Sequence, residues 1–248
     1  MAFLDQRRLI VVADATELAR HAADRILARI AANDGRIAIC LAGGSSPKQL
    51  YELLATEGYR SRIPWERVHW FIGDERLVPP DDPLNNMAMA RKALLDGAAP
   101  RDNVHSIPTD AADPSKSAER YERELKSFYG ADRLEPTQPL FDVVLLGVGP
   151  DGHTASLFPN DPALQEAGHW VVGVPKANVA PFVPRITLTL PALASCNEML
   201  FEVSGAGKAA ILTRLLNGEN LPAGRAHSSG ETVWLVDKAA IPEDFRGR

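Results

Sequence analysis

Cysteine is nearly absent from this chain of 248 residues: there are two, Cys40 and Cys196, each beside apolar, strand-like neighbours. So few thiols argue against a disulfide framework and for a reducing compartment. Long apolar runs are missing as well. Nothing approaches the roughly 18 consecutive apolar residues of a membrane helix. The first ten residues carry Asp5, Arg7 and Arg8 where a signal peptide would have its apolar core. A soluble cytoplasmic protein is the expectation. Positive charge is not in excess either: 27 Lys and Arg against 32 Asp and Glu leave −5, which excludes a polybasic nucleic-acid binder. What is present is 45% hydrophobic and 24% charged residues, the balance of a globular protein with a sizeable core. Without repeats or low-complexity tracts, residues 1–248 read as one domain.

Short apolar runs alternate with amphipathic stretches in the first half: Leu9 to Val12, Ala15 to Ala32, Ile37 to Ala42, Pro47 to Ala55 and Val68 to Ile72. This is a βαβαβ rhythm. Asp14 with Glu17 forms a capping-box signature for the first helix, whose predicted buried stripe is Leu18, Ala22, Ile26, Leu27 and Ile30. Further strands are expected at Phe141 to Leu146, Trp170 to Val174, Ile186 to Leu190, Met199 to Val203 and Val233 to Val236. A surface connection is expected over Ile107 to Ser117, before a charged helix at Glu119 to Phe128. Apolar strands separated by helices imply an α/β fold with a doubly wound, mostly parallel sheet covered by helices on both faces. Ligands bind such sheets outside the carboxyl ends of the strands, so the loops there are where chemistry is sought.

Three loops stand out. In Leu41 to Pro47 a strand runs into Gly43, Gly44, Ser45 and Ser46, with a proline suited to a first helical turn. Backbone N–H groups, hydroxyls and a helix N-terminus together suit a phosphate, although an ordinary capped βα turn has the same look. The second loop, Gly73-Asp74-Glu75-Arg76, puts three charges at the mouth of a buried strand and is followed by Asn85-Asn86. The arginine can pair an anion and a carboxylate can orient a histidine, or the group can be a solvated turn. In the third, Gly147, Gly149 and Gly152 spell G-x-G-x-x-G after a strand. A dinucleotide fingerprint is rejected, because Pro159 limits any following helix and residues 171–178 offer no acid for a ribose. The loop does offer His153 beside Asp151, and an imidazole titrating near pH 6.5 can take a proton from water. Arg185, at the start of a strand, and Lys208, behind the Gly205–Gly207 turn, are further candidate anion ligands.

Together GGSSPKQLYELL, WFIGDERLVPP, VVLLGVGPDGHTASLFP, RITLTLPAL and VSGAGKAAIL, spread from about residue 10 to about residue 236, resemble the 6-phosphogluconolactonase family. The resemblance implies hydrolysis of 6-phospho-D-glucono-1,5-lactone in the oxidative pentose phosphate pathway, with neither metal nor organic cofactor. It also implies a fold shared with glucosamine-6-phosphate deaminases, in which a glutamate assists ring opening; Phe158 stands where that glutamate would fall. Lactonases commonly have Ser-Asn after the acidic loop, and here the pair is Asn85-Asn86.

On this reading Gly44, Ser45, Ser46, Lys208 and Arg185 hold the phosphate, with Gly43, Asn86 and Asp151 among the substrate contacts. His153, oriented by Asp74 or Asp151, activates water, and Arg76 or glycine-turn N–H groups meet the oxyanion. The expected partner is a small phosphosugar lactone, without nucleic acid, membrane or obligate protein partner. The alternatives are an amino-sugar phosphate deaminase or isomerase and a non-catalytic sugar-phosphate sensor domain. The sensor would need a helix-turn-helix ahead of a strand that begins here by Leu9.

Overall fold

The computed structural model describes residues 7–242. Asp5 and the two ends of the 1–248 unit lie outside them. Among the described residues nine strands form two sheets: β1 (Arg8–Val12), β2 (Ile37–Leu41), β3 (Val68–Ile72), β4 (Asp74–Arg76), β5 (Phe141–Leu146), β6 (Val171–Val174), β7 (Arg185–Leu188), β8 (Cys196–Val203) and β9 (Glu231–Asp237). The α-helices are α1 (Ala15–Ala31), α2 (Ser45–Leu54), α3 (Glu57–Arg60), α4 (Asn86–Ala90), α5 (Pro114–Tyr129), α6 (Leu190–Ala194), α7 (Ala209–Leu216) and α8 (Pro222–Arg225).

Six strands make an all-parallel sheet in the order β1-β9-β8-β5-β2-β3. Strand β2, IAICL, lies between β5 and the edge strand β3 and is buried at every position. That is what a parallel strand covered on both faces requires, and each fully buried Leu or Ile contributes about 1.5–3 kcal/mol. Helix α1 begins where Asp14 accepts hydrogen bonds from the N–H groups of Thr16 (2.9 Å) and Glu17 (3.0 Å), and all five predicted stripe residues are buried. Its outer arginines clamp the sheet: Arg25 pairs with Glu198, and Arg29 reaches the same carboxylate at 2.5 Å and Glu231 at 3.2 Å.

The second sheet is a departure from the expected single one. Strands β4, β7 and β6 form a separate antiparallel sheet, with Asp74 opposite Thr187 and Arg76 opposite Arg185. The reason lies in chain length: residues 175–184, between β6 and β7, contain no helix, and a parallel crossover needs a dozen or more residues. The acidic segment read as a loop is thus itself a short strand. Helix α5 fastens this sheet to the body. Glu122 on α5 accepts from the N–H groups of Trp170 (2.9 Å) and Val171 (3.2 Å). A Cβ on Gly173 would fall 2.6 Å from the backbone of Pro114 and Ser115. Helix α5 also starts earlier than expected, at Pro114 behind an Asp113 cap. Tyr121 then bonds both the N–H and the carbonyl of Ile72 at 3.1 Å, tying the edge strand β3 down.

Candidate active site

The carboxyl ends of β2, β3, β5 and β8 open into a cleft of about 430 Å³. After β2 the chain turns at Gly44, whose φ of 111° is a conformation that side chains disfavour, and α2 begins at Ser45. Gly43 must also be small, because a Cβ there would fall 2.0 Å from the Asn86 side-chain oxygen. Tyr51, in the second turn of α2, braces this loop by bonding both the N–H (2.9 Å) and the carbonyl (2.8 Å) of Ala42. The first N–H groups of α2 are therefore presented to the cleft with the positive end of the helix dipole behind them.

The opposite wall comes from the small sheet. Glu75 is buried, and its carboxylate accepts from the N–H groups of Asn86 (2.7 Å), Met87 (2.9 Å) and Arg76 (2.9 Å). Burial pushes its pKa up to about 7 against the pull of those three donors. Glu75 thus anchors α4 from inside. Asn85 caps the same helix, accepting from the Ala88 N–H at 2.8 Å, a task a serine also performs, while Asn86 donates to the Asp74 carbonyl at 2.9 Å and lines the cleft. Arg76 and Arg185 face each other across the β4–β7 ladder and both line the cleft. Arg185 is 4% exposed and is held by the carbonyls of Pro181 (2.7 Å) and Val183 (3.2 Å); burial and then Arg76 lower its pKa. Arg76 donates to the Leu84 carbonyl at 2.7 Å. Two guanidinium groups set side by side are stabilised by an anion between or beside them.

The third loop holds the histidine. His153 Nδ1 lies 2.5 Å from the Asp151 carboxylate, which also accepts from the His153 backbone N–H at 3.1 Å. With Nδ1–H donated there, Nε2 is the ring nitrogen left for a water in the cleft. A Cβ on Gly149 would fall 2.0 Å from the imidazole, so glycine is required for the ring to lie where it does. Phe158 is buried with its ring 4.9 Å from the imidazole. Lys208 donates to the Val148 carbonyl at 2.6 Å, and burial lowers its pKa. Its turn is set by Asp237, which accepts from Ser204 Oγ (2.5 Å) and from the Gly205 N–H.

Ten of the eleven residues singled out from the sequence line this one cleft: Gly43, Gly44, Ser45, Ser46, Asp74, Arg76, Asn86, His153, Arg185 and Lys208. Asp151, expected among the substrate contacts, does not; it stands behind His153, and is the carboxylate that orients the ring. Asp74 instead accepts from Ser156 Oγ at 2.6 Å. Ser156 and Glu202 also line the cleft without having been anticipated. Ser156 lies in the histidine loop among many polar residues and carries no sequence signal. Glu202 does carry one, as the acid inside an otherwise apolar run, Met199 to Val203. Among the described residues, no group of three His, Cys, Asp or Glu side chains is placed to hold a metal ion.

Comparison with known proteins matches residues 13–234 to the family described as Glucosamine-6-phosphate isomerases/6-phosphogluconolactonase. A 6-phosphogluconolactonase of Nostoc sp. is 40% identical over 242 residues, covering 94% of this chain and 96% of its own. The solved 6-phosphogluconolactonase of Thermotoga maritima superposes with a TM-score of 0.80 at 32% identity, covering 94% of this chain and 100% of that one. A monomeric glucosamine-6-phosphate deaminase shares the fold at 20% identity, with a TM-score of 0.79 and coverage of 94% and 98%. The family match takes in every loop that lines the cleft, and this chain therefore belongs to the glucosamine-6-phosphate isomerase/6-phosphogluconolactonase family.

Proposed function

We infer that the chain is a 6-phosphogluconolactonase, hydrolysing 6-phospho-D-glucono-1,5-lactone to 6-phospho-D-gluconate in the oxidative pentose phosphate pathway. The observation that carries the reading is the imidazole of His153, tied to Asp151 through Nδ1 at the edge of a cleft whose walls are cationic. The 6-phosphate binds at the start of α2, against Gly43, Gly44, Ser45 and Ser46, with Lys208 and Arg185. That remote dianion orients the ring, so the carbonyl is fixed without contributing to the chemical step itself. Asn86 and Asp74 line the wall along which the sugar hydroxyls lie. His153 Nε2 takes a proton from water as its oxygen attacks C1, and Arg76 meets the oxyanion. Collapse of the tetrahedral intermediate breaks the bond to the ring oxygen, which receives the proton back from the imidazolium, and the acid and the freed hydroxyl are the product.

A deaminase needs a group to assist sugar ring opening. Phe158 occupies that place, buried against His153, whereas a lactone ring is opened by the water attack itself. The reading treats residues 1–248 as one catalytic unit acting in the cytoplasm on a small phosphosugar lactone, with no nucleic acid, membrane or obligate protein partner. No helix among the described residues is long and apolar enough to cross a membrane. The test is a coupled assay in which an NADP-dependent dehydrogenase reports 6-phosphogluconate from freshly made lactone, corrected for spontaneous hydrolysis. A rate no greater than the spontaneous one rejects the function, and ammonia release from glucosamine 6-phosphate establishes the deaminase in its place.

A further inference from the structure

Glu202 lies near the carboxyl end of β8, is 3% exposed, and lines the cleft. Both of its carboxyl oxygens are buried without a hydrogen-bond partner. An unpaired ionised carboxylate in such a place costs several kcal/mol, so the group holds its proton, and burial alone raises its pKa to about 8. The residues around it leave that proton unclaimed. Tyr51, from α2, is close enough for Glu202 to raise its pKa, but its hydroxyl is already spent on the N–H and carbonyl of Ala42. Lys208, on the turn after β8, is turned to the Val148 carbonyl. The other charged or titratable groups of the cleft are Asp74, Arg76, Arg185 and His153, and none of them perturbs Glu202.

Tyr51 connects this acid to the phosphate loop, because the backbone it braces at Ala42 runs straight into Gly43, Gly44, Ser45 and Ser46. We propose that Glu202 is the acid of the phosphate subsite: its carboxyl O–H donates a hydrogen bond to the bound phosphoryl group, directly or through a single water. The inference rests on the placement of the phosphate at the start of α2. In the protonated state Glu202 adds a neutral donor to a cleft that Lys208 and Arg185 also line. In the ionised state it confronts the dianion with a like charge. Binding of a phosphorylated ligand therefore keeps one proton on Glu202. The cleft loses affinity as the medium becomes alkaline enough to remove it, although a phosphate ester, with a second pKa near 6, is by then a full dianion.

The probe is 6-phosphogluconate, which is stable at alkaline pH, titrated calorimetrically into the full chain from pH 7 to 9.5 in buffers of different ionisation enthalpy. The wild type is expected to take up protons on binding near pH 8 and above, with Kd rising by up to tenfold per pH unit. Glu202→Gln keeps a neutral donor in the same volume. It should bind within about twofold of wild type at pH 7 and lose the Glu202 share of the proton uptake and of the alkaline rise, leaving the part due to Lys208. Glu202→Met fills the space with no polar atom and so folds without an unpaired buried group, yet binds roughly tenfold more weakly at pH 7 for want of the donor. The proposal is overturned if Glu202→Gln retains the full wild-type proton uptake, or if Glu202→Met binds 6-phosphogluconate as tightly as wild type. Lys208→Ala separates this from the parent reading. Unchanged binding in that variant moves the phosphate elsewhere, whereas weakened binding there beside wild-type behaviour in both Glu202 variants removes Glu202 alone.

Discussion

Asp151→Asn isolates the coupling between the histidine and its carboxylate. Asp151 Oδ1 takes two donors, His153 Nδ1 at 2.5 Å and the His153 backbone N–H at 3.1 Å. An asparagine oxygen can keep both contacts, so the ring stays in place and the loss is confined to the charge. That charge matters only when the imidazole has taken the water proton and become a cation, that is, in the transition state. A hydrogen bond to a charged group is worth about 1.5–3 kcal/mol. Both side chains are partly open to solvent, 19% for His153 and 29% for Asp151, which holds the figure to the lower half of that range. At about 1.4 kcal/mol per factor of ten, kcat should fall roughly 10- to 50-fold. Because Asp151 does not line the cleft, KM should stay where it is. The coupled dehydrogenase assay, run at saturating and limiting lactone, reads both parameters. A kcat within twofold of wild type, or a loss confined to KM, refutes the assignment of Asp151 as the positioning residue for His153.

Four further outcomes are expected. His153→Ala should lower kcat by about 10²–10⁴ while leaving the thermal transition unchanged, as steady-state kinetics beside calorimetry will read. Arg76→Ala should lower kcat more than it raises KM if Arg76 meets the oxyanion, and a raised KM alone assigns it to the phosphate wall. Asn85→Ala should lose about 0.5–2 kcal/mol of stability through the uncapped α4, and Asn85→Ser should keep it, both read by urea denaturation. Glu75 has a folded-state pKa raised from 4.5 to about 7, so the native state holds a proton that the unfolded chain has released. Its contribution to stability is therefore full below pH 4.5 and falls as pH rises through 7, by up to about 3 kcal/mol. Unfolding free energies of wild type minus Glu75→Gln, measured from pH 4.5 to 7.5, should show that decline, and a flat difference refutes it.

How far the fold and the site were legible depended on whether the signal was local. Helix α1 was readable because Asp14 and a stripe from Leu18 to Ile30 are sequence-local devices that the fold then uses directly. Glycine at 43, 44 and 149 is visible in the sequence, but that 44 serves a positive φ while 43 and 149 make room for Asn86 and the His153 ring is set by tertiary packing. The split into two sheets was less visible, since strands 171–174 and 185–188 have the same apolar look as the parallel ones. Only the short, helix-free segment between them carried the difference. Chain order leaves the orienting carboxylate open between Asp74 and Asp151, because it does not state which of two acids turns toward the imidazole. Asp74 is committed to Ser156, across 82 residues of sequence, and no local pattern encodes such a bond.

The small antiparallel sheet explains why an acidic chain binds an anion at all. The net charge of −5 is an average over the surface, whereas the cleft gathers Arg76, Arg185 and Lys208 from three separate parts of the chain. A parallel sheet alone would deliver only the loops at the ends of its own strands: the Gly43–Ser46 loop after β2, the histidine loop after β5, and Lys208 after β8. Strand β4 continues from β3 with the single residue Gly73 between them, so Asp74 and Arg76 are carried past the edge of the main sheet and over the cleft. Pairing β4 with β7 sets Arg185 directly opposite Arg76, an arrangement that repels when empty and is relieved by a bound anion. Glu75, between Asp74 and Arg76 in sequence, points the other way into α4 and ties this wall to that helix. The alternation of a three-residue strand, out for Asp74 and Arg76 and in for Glu75, is thus what divides cleft-facing charge from structural charge at this site.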